Sequence, residues 1–211
     1  MFIGFMGVPG CGKSATAHAL AMMLGGSAFL EPEEPEWSPL VTDRQANGQF
    51  GPYLALQWFR NTRVPGYLEA AKIHASGGDA VVDSMYDKLI ARYMADESMR
   101  WLISPENPYF DAAQSAAEVD YASLPDPTHL VFVQVDEPTW NTMLTKRGRE
   151  FDAGVDIGEN LAMQELMSDV ARAYTAEKGV EFIVHRQQVG SPEETAEDVR
   201  LLLESIQRYA I

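Results

Sequence analysis

Three groups of residues have the types and spacing for chemistry on phosphate. Gly7-Val8-Pro9-Gly10-Cys11-Gly12-Lys13-Ser14 fits the pattern G-x-x-x-x-G-K-[ST]. Its glycines let the backbone turn tightly, so that successive N–H groups and the N-terminus of a following helix face phosphate oxygens. Lys13 adds a point charge and Ser14 a hydroxyl suited to Mg²⁺, so Gly7 through Ala15 are the candidate triphosphate-binding residues, with ATP and Mg²⁺ the expected cofactors. The second group is acidic. Glu31, in Phe29-Leu30-Glu31-Pro32, is a candidate base for an attacking hydroxyl, which must lose its proton during phosphoryl transfer. Its neighbours Glu33, Glu34 and Glu36 leave open the plainer reading of a solvated acidic loop. Asp83 can hold Mg²⁺ opposite Ser14, or serve as a turn or cap residue with Ser84. The third group, Lys146-Arg147-Gly148-Arg149-Glu150, is cationic. Arg147 and Arg149 can neutralise charge on a transferring phosphoryl group as an arginine finger in cis, or can simply complement a helix C-terminus.

The surrounding pattern supplies elements to position these groups. Short apolar or β-rich runs at Phe2 to Met6, Ser27 to Leu30, Ala80 to Asp83, Leu130 to Val135 and Glu181 to Val184 alternate with longer helix-compatible stretches. The helices expected are Lys13 to Leu24, Tyr53 to Ser76 with a break near Pro65, Lys88 to Leu102, Phe110 to Tyr121, Thr139 to Lys146, Asn160 to Lys178 and Pro192 to Tyr209. Such alternation predicts a parallel sheet covered by helices, with ligands at the carboxyl ends of the strands. Glu31 and Asp83 both fall there. Asp136 reads as a helix cap, and Ser191 with Glu194 as a capping box.

At 211 residues the chain is expected to form one domain over 1–211. A formal charge of −15 argues against a nucleic-acid partner, because tracking a phosphate backbone needs clustered Lys and Arg. Small molecules are the expected partners. Cys11 is the single cysteine, which excludes an intrachain disulfide and points to a reducing, cytoplasmic setting. Met1 to Met6 has no basic leader region and is too short for a membrane span, so no membrane association is expected. His18, His74, His129 and His185 lack ligand spacing.

Gln57 and Arg60, three apart, share a face of the predicted helix, while Arg63 points partly away. A glutamine amide donates and accepts together, as reading a base edge requires, although a surface glutamine is the plainer alternative. Trp37, Phe50, Tyr53, Trp58, Tyr86 and Phe110 can wall a base or fill a core.

Taken together, these residues resemble the deoxynucleoside kinases. The resemblance is carried by Gly7 to Ser14, Phe29-Leu30-Glu31-Pro32 with Trp37, Leu56-Gln57-Trp58-Phe59 leading to Arg63, Asp83-Ser84-Met85-Tyr86, and Arg147 to Asp156. It implies a three-layer α/β P-loop kinase fold, with a parallel five-stranded sheet, helices on both faces and an Arg-containing lid at about 146–156. It also implies a homodimer that phosphorylates a deoxynucleoside 5′-hydroxyl, with Glu31 as base, Lys13, Arg147 and Arg149 at the transferring phosphate, and Asp152 on the sugar 3′-hydroxyl. The acceptor-binding set is then Trp37, Tyr53, Gln57, Arg60, Asp83 and Asp152. The chain departs from the family pattern where Ser84 follows Asp83 in place of arginine, and where Met143 replaces an arginine one turn before the lid. Two other readings stand beside this one. The first is a thymidylate-like deoxynucleoside monophosphate kinase, disfavoured because the acidic run from Glu31 to Glu36 would repel a dianion. The second is a nucleotide-binding regulator without turnover.

Overall fold

A computed structural model describes residues 1–148 and 157–209, with side chains over 1–148 and 161–205. In chain order its elements are β1 (Phe2–Met6), α1 (Lys13–Leu24), β2 (Ser27–Phe29), α2 (Pro39–Thr42), α3 (Phe50–Ala75), β3 (Ala80–Val82), α4 (Tyr86–Leu89), α5 (Phe110–Ser123), β4 (His129–Gln134), α6 (Glu137–Arg147), α7 (Ile157–Lys178), β5 (Glu181–Arg186) and α8 (Pro192–Tyr209). Short 3₁₀ turns lie at Glu34–Glu36, Arg44–Asn47, Ile90–Arg92 and Glu97–Met99.

The strands form one parallel sheet in the order β2-β3-β1-β4-β5. β1 is buried at every residue and β4 at all but its last, as expected of parallel strands covered on both faces. Right-handed crossovers dictate which helix covers which face. The chain leaves β1 towards β2 through α1, turns back to β3 through α3, passes β1 through α5 to reach β4, and continues through α7 to β5, so α1 lies opposite α3 and α7. α8 packs on α1 and β5, α3 on β1 to β3, and α7 on β4 and β5, completing three layers. The direction of winding reverses at β1, and that reversal opens a crevice at the carboxyl ends of the strands.

Local chemistry fixes the ends of these elements. Asp136 caps α6 by accepting from the Thr139 N–H at 2.8 Å. At α8 the Ser191 N–H donates to Glu194 at 2.9 Å while the Glu194 N–H donates to Ser191 Oγ at 3.2 Å, the expected capping box. Two expectations are corrected. α3 runs unbroken through Pro65, because Pro65 and Asn61, whose carbonyl loses its helical donor, both lie on the exposed side where water can bond it. The helix expected over Lys88 to Leu102 is instead α4 followed by 3₁₀ turns. Its residues are held by burial of Leu89, Ile90, Tyr93 and Met94, and by an Asp96 side chain that accepts from the Ser98 N–H at 3.0 Å and restarts the chain.

Candidate active site

The phosphate loop joins β1 to α1. Gly10 and Gly12 have φ of 79° and 90°, in the left-handed region that an L side chain resists. Space is a second constraint at Gly10, where an added Cβ would lie 3.1 Å from Arg147 Nη1. α6 is thus laid across the loop, and the Trp140 indole N–H donates to the Pro9 carbonyl at 2.9 Å. Val8 and Cys11 are wholly buried beneath. Burial pushes the Cys11 thiol up from its ordinary value despite nearby Lys13, which leaves it an unreactive packing group. The Lys13 ammonium donates to the Gly7 and Val8 carbonyls, both at 2.9 Å.

Opposite the loop, β2 and β3 deliver two acids. Both Asp83 oxygens accept from the Glu31 backbone N–H, at 3.1 and 3.0 Å. The hydroxyls of Ser14 and Ser84 favour the charged forms of Asp83 and Glu31 respectively. Arg63, on α3, donates from Nη1 to Glu31 at 2.9 Å and from Nε and Nη2 to Asp87 at 2.7 and 3.1 Å. Its guanidinium lies against the rings of Phe59 and Tyr86, with centroids at 5.2 and 4.7 Å. The cation beside Glu31 therefore comes from α3, and not from the residue after Asp83.

The electrostatics separate the two carboxyls. Burial opposes charge on Glu31, but Arg63 and Lys13 outweigh it and hold the carboxyl below its ordinary value. Burial, and then the charge on Glu31, push Asp83 up to about 6, against the hydrogen bonds it accepts. Of the pair, Asp83 takes a proton first and Glu31 stays ionised. Burial also opposes charge on Arg63, yet Asp87 and Glu31 prevail and raise it.

Lys13, Glu31 and Arg63 face a cavity of about 700 Å³. One end is lined by the phosphate loop, by Met143, Lys146 and Arg147 of α6, and by Gln188 to Gly190 after β5. The other is lined by Glu31, Trp37, Arg44, Phe59, Tyr86 and Trp101, among others. Such a cavity, apolar walls with a few convergent polar groups, is the usual form of a small-molecule site.

The structure brings together Gly7, Pro9, Gly10, Gly12, Lys13, Ser14, Ala15, Glu31, Trp37 and Arg147. Asp83 sits behind them, 3% exposed. Tyr53, Gln57 and Arg60 are placed elsewhere. On α3 the residues facing the cavity are Pro52, Ala55, Leu56, Phe59 and Arg63, a single i, i+3, i+4, i+7 stripe. Gln57 and Arg60 belong to the neighbouring stripe. They line a small separate cavity with Asp120, to which Arg60 Nη2 donates at 2.7 Å. Tyr53 stacks on Tyr109, with centroids 5.3 Å apart. Arg149 and Asp152, and most of the segment 146–156, lie outside the described residues. Sequence reasoning missed Arg44, the Asp87 partner of Arg63, and the loop Gln188 to Gly190. The rule that gives priority to residues just after each strand would have found that loop.

Among the described residues no group of three or more His, Cys, Asp or Glu could hold a metal, and no helix is long and apolar enough to cross a membrane. No family model and no curated protein matches the chain. Solved structures do share its fold. Deoxyadenosine kinase from M. mycoides with bound dATP superposes with a TM-score of 0.66 at 16% identity, and with bound dCTP at 0.61 and 16%. The same enzyme with products dCMP and a flexible dCDP gives 0.62 at 13%. Each comparison covers 97% of this chain and 100% of that one. The chain has the three-layer α/β architecture of these P-loop kinases.

Proposed function

We propose that the chain is an ATP-dependent deoxynucleoside kinase, one domain over 1–211, with Glu31 as its general base. The observation that carries this reading is a carboxylate held ionised by Arg63 and Lys13 at the junction of a phosphate loop and an aromatic-walled cavity. The acceptors and nucleotides named for the solved structures of the same fold support a deoxynucleoside substrate.

In the reaction, the acceptor 5′-oxygen forms a bond to the γ-phosphorus of ATP as the bond from that phosphorus to the β,γ-bridging oxygen breaks. Glu31 takes the hydroxyl proton, and the products are a nucleoside monophosphate and ADP. The loop N–H groups and Lys13 hold the phosphates, with Lys13 exchanging its bonds to Gly7 and Val8 for phosphate oxygens. Lys146 and Arg147 face charge that grows on the transferring group. Ser14, which lines the cavity, and Asp83 just behind it would hold Mg²⁺, Asp83 directly or through water. When bound, the ion would neutralise phosphate charge. The family resemblance assigns Arg149 to the phosphate and Asp152 to the sugar 3′-hydroxyl, and the proposal retains both.

A monophosphate acceptor fits less well. Its dianion would lie beside Glu31 and Asp87, and the arginine nearest them already serves both carboxylates. The test incubates the protein with Mg²⁺ and γ-labelled ATP against deoxynucleosides, ribonucleosides and their monophosphates. Label on deoxynucleosides is expected, and label confined to monophosphates overturns the reading.

A further inference from the structure

Arg44 stands apart from most arginines of the chain and, unlike the exposed Arg172 and Arg186, it lines the cavity. Arg60, Arg63, Arg92, Arg100 and Arg200 are each paired with a carboxylate. Arg44, in the turn Arg44–Asn47, lines the cavity, and among the described residues its guanidinium has no hydrogen bond or ion pair. In a chain with 31 acidic residues against 16 basic ones, a half-buried guanidinium without a carboxylate is costly unless a ligand completes it. Burial pulls it down from its ordinary value, and the side chain that acts on it is Tyr86.

Tyr86 gives the second observation. It lines the same cavity, and its hydroxyl is buried with no hydrogen-bond partner among the described residues. Its ring lies against the Arg63 guanidinium, 4.7 Å from the centroid, and the phenol is within electrostatic reach of Arg44 as well. The Arg44 carbonyl lies against Gly51 in the first turn of α3, whereas Arg63, which holds Glu31, lies about three turns further along that helix, so Arg44 is set away from the transfer centre, where the base of an acceptor, and not its 5′ end, would sit.

We propose that Arg44 selects the acceptor base and that the base is a 6-oxopurine, guanine or hypoxanthine. The inference rests on the nucleoside reading of the cavity. A guanidinium is a flat fork of donors with no acceptor, and O6 with N7 offers two adjacent acceptors on one edge. Adenine sets an amino donor beside N7 and leaves one arm of the fork opposed, while thymine offers O4 alone on that edge.

The test measures equilibrium binding of deoxyguanosine, deoxyadenosine and thymidine to the full chain by calorimetry, alongside kcat/KM for each. Deoxyguanosine is expected to bind about 10- to 100-fold more tightly than deoxyadenosine. In Arg44→Gln, whose amide matches adenine N6 and N7, the preference should shrink or invert because deoxyadenosine gains. Arg44→Lys, which keeps the charge but loses the fork, should weaken deoxyguanosine without helping deoxyadenosine. Deoxyadenosine binding as tightly as deoxyguanosine in the wild type, or an unchanged ratio in Arg44→Gln, overturns the proposal. So does dGMP binding far above deoxyguanosine with the gap lost in Arg44→Gln, which would assign Arg44 to a phosphate. Deoxyguanosine bound selectively but never phosphorylated would sink the kinase reading and keep this one. Phosphorylation led by deoxyadenosine would do the reverse, and no nucleoside binding would sink both.

Discussion

The two ends of the cavity are built from different materials. At the end proposed to hold the donor, contiguous backbone from Gly7 to Ser14 supplies the N–H groups, and α6 lies over them through Trp140 and Arg147. At the end proposed to hold the acceptor, Glu31, Arg44, Arg63 and Tyr86 come from four separate stretches, each fixed by another side chain or left open to the cavity. Phosphate looks alike in every nucleotide, so a fixed local loop suffices. A base and a sugar differ between acceptors, so their recognition requires side chains converging from distant parts of the chain.

If the division is right, damage to the two ends should separate in the kinetics. The largest effect is expected from Glu31→Gln, which should lower kcat by about 10²- to 10⁴-fold while leaving ATP affinity nearly unchanged. Equal losses in both would merge the two ends. Arg63→Met comes next, because it leaves Asp87 buried without a cation and removes the main charge that keeps Glu31 ionised. It should cost about 3 kcal/mol in denaturant unfolding. It should also move the acidic limb of the kcat/KM profile to higher pH, since the Glu31 carboxyl is held low by Arg63. Arg63→Lys should restore part of the pH shift, and an unmoved limb would remove Arg63 from the base's surroundings.

Smaller effects sharpen the boundary. Gln57→Ala should change kcat/KM by no more than about threefold for every acceptor, as for a side chain off the cavity. A reordered acceptor preference would return Gln57 to the site. The smallest effect concerns His185, buried with Nε2 lacking a hydrogen-bond partner among the described residues. Burial lowers its pKa against the pull of Asp198, so its contribution to stability is present above about pH 6.5 and lost as pH falls below that. Asp83, raised to about 6, runs oppositely: its contribution is present at low pH and lost as pH rises through about 6. The readout is therefore the difference between wild type and His185→Gln, about 2 °C in Tm between about pH 7 and pH 5, with the wild type falling faster. Parallel curves would show that His185 does not titrate on unfolding.

What could be read in advance follows the same division. The loop, the five strands, the place of Glu31 just after β2 and the caps at Asp136 and Ser191 were legible because each is set by neighbours in sequence. The face of α3 was not. Gln57 and Arg60 share a stripe, but choosing between adjacent stripes depends on packing against β1 to β3, and only that choice turns Phe59 and Arg63 inward. The course of the chain from Lys88 to Leu102 was hidden for a similar reason, since its apolar residues are buried by tertiary contacts instead of by a helical period. Arg44 carried no signal at all. It lies in a short polar turn, and its importance comes from what it lacks.

Trp140 has a consequence for engineering. Because its indole pins the crest of the phosphate loop to α6, and Gly10 leaves no gap between them, loop and helix form a single transplantable unit. Copying only Gly7 to Ser14 into another scaffold would import the octapeptide without its clamp, whereas a graft carrying α6 would take along a ready-made seat for Arg147.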